Sequence, residues 1–144
     1  MTTATCTITP DQQADLAVKL DALGDAVSAA QATFERQLGQ SFAIEGTPGS
    51  PDCDAVTFGS TIALTGDDAN FTFAIVCDDE AAAQVARWMF EIPREEEPGL
   101  ADTADALNEI PNVAAGMWKA RRDEKGERYQ LGLPMFLRGS TWLR

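Results

Sequence analysis

From Leu16 to Leu38 the chain repeats a large apolar residue every third or fourth position: Leu16, Leu20, Leu23, Val27, Ala30, Phe34 and Leu38. That spacing keeps one face of an α-helix apolar for over six turns, so it predicts a long helix from Pro10 or Asp11 to Gly39, its natural stop. The stripe is expected to lie across a sheet, although a coiled coil would use the same pattern. The period then changes. Residues 55–65 and 70–77 are rich in Val, Ile, Thr and Phe, and GDDAN at 66–70 between them predicts a β-hairpin. Residues 4–9 and 42–45 are shorter β-prone runs, and GTPGSPDCD at 46–54 predicts a loop. Helical spacing returns at about 79–91, with Asp78 or Asp79 as its cap and Val85, Trp88 and Met89 facing inward. A charged connection, EIPREEEPG, leads to a second long helix over about 100–122. The run RYQLGLPMFLRG at 128–139 predicts a strand interrupted at Pro134. Strands that pair in sequence, beside long helices, predict an α+β fold: an antiparallel sheet with the helices packed on it.

Asp105, Glu109, Asn112 and Gly116 lie in the last long helix at i, i+4, i+7 and i+11. At about 100° per residue the four share an arc of roughly 60°. Leu107, Ile110, Ala114, Met117 and Trp118 point the other way and are the expected core face. The polar face therefore carries an acid, an amide and a gap in the side-chain wall. Pro111 sits between Glu109 and Asn112, where it removes one backbone hydrogen bond. The unbroken apolar pattern through Trp118 predicts one bent helix rather than two.

Composition narrows the chemistry. With 144 residues the expected organisation is one domain. There is no histidine, so His-based general bases, metal ligands and nucleophile pairs are excluded. Cys6, Cys53 and Cys77 have no metal-ligand spacing. Cys6 and Cys77 fit buried strand positions, Cys53 a loop, and unpaired thiols fit a reducing compartment. The formal net charge of −12 disfavours nucleic acid and anionic membrane surfaces as partners. Residues 119–144 nevertheless carry seven of the 11 basic side chains; ordinary solvated surface is the commoner use of such charges, and attraction of a partner of mixed charge is the alternative. The N-terminus has no signal-peptide pattern and no apolar run reaches membrane-spanning length, so the expected location is the cytoplasm.

On the polar helix face, Asn112 can both donate and accept, and so can orient a water. Glu109 can accept from a cationic donor. That pair suits an electrophile that is already activated, such as an acyl phosphate, where placement matters more than proton transfer. By spacing alone the same residues also fit an ordinary solvated helix face.

Asp105-x3-Glu109-x2-Asn112-x3-Gly116, followed by Leu133-Pro134 and Gly139, resembles the CheC/CheX/FliY family of chemotaxis phosphatases, and CheX most among them. The order of long helix, strand pair, short helix, motif helix and LP strand is similar too. The resemblance implies hydrolysis of the phospho-aspartate on a CheY-type receiver domain. In it Glu109 would pair with the receiver's lysine and Asn112 would place the attacking water. Asp105 and Gly116 would shape the docking face. It implies no cofactor bound by this chain, with Mg2+ on the receiver, and a homodimer. It also implies further strands beyond the LP strand, so the expected domain over 1–144 is shortened at its C-terminus. Pro111 departs from the family's pattern. The second reading is therefore a non-enzymatic module that binds a receiver or a flagellar-switch component.

Overall fold

The computed structural model describes residues 10–41 and 58–139. The readings made for 4–9, 42–45 and 46–54, and for Cys6 and Cys53, fall outside that range. The described elements are α1 (Pro10–Leu38), β1 (Phe58–Gly66), β2 (Asn70–Cys77), α2 (Asp79–Phe90), α3 (Leu100–Glu124), β3 (Tyr129–Leu131) and β4 (Met135–Arg138). They form the expected α+β arrangement, a four-stranded antiparallel sheet with the helices packed on it.

β1 is the central strand. β2 pairs with it along its length, from Phe58↔Cys77 to Thr65↔Asn70, and the turn closes through Gly66 N–H to the Ala69 carbonyl at 3.0 Å. On its other edge β1 meets β3 at Leu64–Gly66 and β4 at Phe58–Thr61. Leu131 lies opposite Leu64 and Met135 opposite Thr61, so this side carries one residue more than β1 over the same span. That is a bulge, and Gly132-Leu133-Pro134 forms it. Gly132 N–H donates to the Ala63 carbonyl at 2.8 Å, and a Cβ there would sit 3.2 Å from that oxygen. Pro134 has no N–H to give to the ladder, so it falls in the gap between the two segments. The predicted strand 128–139 is thus correct in extent and in its interruption.

Phe58, Ser60, Ile62 and Leu64 alternate onto the helix-covered face of β1, while Ala63 and Thr65 are exposed on the other. Ile62 and Leu64 pack with Ala22, Ala29, Ala115 and Trp118. A second cluster joins Leu38 of α1, Ala82, Val85 and Ala86 of α2, and Ala106, Leu107 and Ile110 of α3. In α2, Val85 is buried as expected, and Trp88 and Met89 are half-buried against that cluster. Asp78 caps α2 by accepting from Ala81 N–H at 2.8 Å. Gly39 ends α1 with φ 61°, a conformation costly for other residues.

The face α1 buries is not the one predicted. Ala22, Ala29 and Thr33 are buried, while Leu20 and Leu23 are more than half exposed and Val27 is 37% exposed. Small residues let α1 lie close to α3. The Trp118 indole N–H reaches the Ala22 carbonyl at 2.9 Å, which larger side chains would obstruct. The aliphatic stripe is turned about 130° from that contact. It rejoins the core only at its end, where Leu38 is buried and Phe34 half-buried against the α2–α3 cluster.

Candidate functional site on helix α3

α3 begins at a tied N-terminus. The Gly99 N–H donates to the Asp102 carboxylate at 3.3 Å, and the Thr103 hydroxyl donates to the Gly99 carbonyl at 3.0 Å. Asp102 also places negative charge in the first turn, where the helix dipole favours it. From there α3 runs unbroken to Glu124 through Pro111, itself buried. Leu107, Ile110, Ala114 and Trp118 are buried and Met117 is half-buried, as the sequence pattern requires.

The other face carries the four motif residues and brings Glu109 and Asn112 together. Asp105 is exposed, and Glu109, Asn112 and Gly116 are half-buried. The Asn112 amide points at the Glu109 carboxylate from 3.5 Å, longer than an ordinary N–H···O bond. Both groups therefore keep most of their hydrogen-bonding capacity for a partner. A Cβ built on Gly116 would meet no heavy atom within 4 Å, so the gap one turn past Asn112 is open. Among the described residues no group of three or more Cys, Asp or Glu side chains is placed to hold a metal ion.

One residue beside the motif was not anticipated. Asn108 precedes Glu109 and turns toward the sheet, where its side-chain oxygen accepts from the Ser60 hydroxyl at 2.7 Å. Ser60 is fully buried on β1, between Phe58 and Ile62 on the helix-covered face. A hydroxyl on an otherwise apolar inward face is the signal that could have been read, since a buried donor needs an acceptor.

The far end of α3 is held by charge. Arg122 is 2% exposed at its side chain and donates to Asp21 at 2.7 Å, Asp25 at 3.0 Å and Glu127. Its guanidinium also lies 5.7 Å from the Trp118 ring centroid. Burial opposes its charge, but the bonds to Glu127, Asp21 and Asp25 outweigh burial and raise its pKa further. Lys125 and then Arg122 hold the Asp21 carboxyl below its ordinary range, and Lys125 does the same for Asp25. Lys119 pairs with Asp123 at 2.6 Å. Lys119, Arg122 and Lys125 thus pair their charge within the molecule. Cys77 sits half-buried at the end of β2. Burial, with Asp78 and Asp79 nearby, pushes its thiol up to about 11, so it is protonated and unreactive near neutral pH.

The fold is thus an antiparallel sheet under helices, with an acid–amide pair on one face of α3. The family model described as chemotaxis phosphatase CheX matches residues 58–143, and the chain belongs to that family. Solved structures agree in fold. CheX from Desulfovibrio desulfuricans superposes with a TM-score of 0.67 at 21% identity, covering 83% of this chain and 78% of that one. The CheX–CheY–BeF3–Mg2+ complex from Borrelia burgdorferi gives 0.69 at 21% identity, with 83% and 78% covered. CheX from Vibrio vulnificus gives 0.67 at 14% identity, covering 82% and 74%. No curated protein sequence matches the chain. No helix among the described residues is long and apolar enough to cross a membrane.

Proposed function

We propose that this chain dephosphorylates the phospho-aspartate of a CheY-type receiver domain, with Asn112 placing the attacking water and Glu109 engaging the receiver's lysine. The observation that carries the reading is the disposition of that pair. Glu109 and Asn112 stand side by side on an accessible face of a well-anchored helix, joined only by a long 3.5 Å contact. The Borrelia burgdorferi relative is seen in complex with CheY, BeF3 and Mg2+, which supports a receiver as the partner class.

The residues suit the reaction. A carboxamide is neutral across the working pH range, so Asn112 orients water without taking its proton. The water oxygen forms a bond to phosphorus on the side opposite the aspartyl oxygen. The acyl P–O bond breaks, leaving inorganic phosphate and the free aspartate. Glu109, as an acceptor, can hold a receiver ammonium and so fix the docking register. Asp105 would extend the acidic rim, and open Gly116 would admit the partner's surface. Mg2+, supplied with the receiver, would neutralise charge on the phosphoryl oxygens. Assembly as a homodimer is part of the same proposal.

Pro111 keeps a second reading alive, a receiver-binding module without catalysis, because it stands inside the turn that joins Glu109 to Asn112. Receiver dephosphorylation followed with wild type, Glu109→Ala and Asn112→Ala separates the two. The phosphatase reading expects accelerated decay with wild type and a loss of about 10²-fold in each variant, the scale of lost placement. Their thermal stability should be unchanged. A wild type that binds the receiver and leaves its decay untouched would establish the binding module.

A further inference from the structure

We propose that Ser60 and Asn108 are positioning residues for Asn112, and that this chain needs them because Pro111 weakens the turn carrying the site. Pro111 has no N–H, so the Leu107 carbonyl loses its partner four residues on. The missing bond lies within the turn that sets Glu109 against Asn112. α3 nevertheless continues through it as one helix. Something outside the helix must hold that turn.

The contact at the right place is Ser60 Oγ to Asn108 Oδ1, at 2.7 Å. It joins the middle of β1 to the residue between Leu107 and Glu109. Ser60 is fully buried, so its hydroxyl has no water to replace Asn108. A buried bond of that kind is costly to break, because the donor is left unpaired. The anchor on the helix side is equally firm: Leu107 and Ile110 are buried in the cluster with Val85 and Ala86. The turn is thus held from two directions, by packing toward α2 and by one hydrogen bond toward β1. Packing resists translation of the helix but is non-directional, whereas the hydrogen bond sets rotation about the axis. Rotation moves Asn112, whose side chain must meet a water to within a fraction of an ångström.

The kinetic part of this inference rests on the phosphatase reading; the structural part does not. The experiment uses Ser60→Ala and Pro111→Ala, singly and together, with two readouts on each protein. Amide hydrogen exchange should rise about tenfold at residues 108–110 and 112 in Ser60→Ala, with residues 114–122 unchanged, as expected for local opening. The turnover number on a phosphorylated receiver should fall by about tenfold with KM unchanged, since misplacement affects the transition state and not docking. In the Pro111→Ala background the backbone bond returns, and adding Ser60→Ala should change neither readout by more than about twofold. Should Ser60→Ala fold poorly, Asn108→Ala removes the same bond from the helix side, and Asn108→Asp, which keeps an acceptor, should restore it. Unchanged exchange in Ser60→Ala, or equal losses with and without Pro111, would overturn the proposal. An inactive wild type would sink the phosphatase reading, and the exchange readout would still decide this one.

Discussion

At Gly116 the effect of a substitution on stability and on the proposed docking of a receiver can be measured separately. A methyl there would touch nothing within 4 Å, and alanine is the better helix former by about 0.5–1 kcal/mol. Gly116→Ala is therefore expected to raise the melting temperature slightly in a calorimetric scan. If the open gap admits a receiver, the same variant should bind it more weakly by titration calorimetry. Trp118 is the opposite case. It is 1% exposed, packs 4.9 Å from both Phe71 and Tyr129 by ring centroid, and donates to Ala22. Trp118→Ala should cost about 3–5 kcal/mol in denaturant unfolding, the range for a large aromatic lost from a core.

At the scale of elements, patterns were legible where a side chain's local period and its tertiary role coincide. The hairpin, the α2 cap at Asp78 and the interrupted strand after α3 follow from turn chemistry and alternation, which neighbours do not overrule. The motif face was legible for the same reason, because its apolar complement runs regularly to Trp118. The buried face of α1 was not. A stripe of Leu20, Leu23 and Val27 outranks Ala22 and Ala29 on any hydrophobic count, yet close helix packing selects the small residues. Ser60–Asn108 was invisible for another reason. The two are 48 residues apart, and only the register between β1 and α3 brings them together. The exposed stripe implies that Leu23→Gln should change unfolding free energy by less than about 0.5 kcal/mol, whereas a core position would lose far more.

Across the whole molecule, Arg122 and Lys125 tie the end of α3 to Asp21 and Asp25 on α1, and Arg122 also holds Glu127 beyond the helix. The two aspartates titrate below their ordinary value of 3.8 in the folded protein. Their contribution to stability is present above the unfolded value of 3.8 and is lost progressively as pH falls through that value and the lower folded ones. The Asp21→Asn, Asp25→Asn double variant should therefore flatten the acid limb of stability below about pH 4 in urea titrations at stepped pH. This clamp secures one end of α3 and the Gly99–Asp102–Thr103 contacts secure the other. The role proposed for Asn112 is tested most directly by one paired measurement on Asn112→Ala: its affinity for a beryllofluoride-activated receiver, and the decay it induces in the phosphorylated form. Undiminished affinity is expected, with decay returned to the receiver's spontaneous rate. Decay as fast as with wild type would contradict it, since the water would then be placed by something other than Asn112.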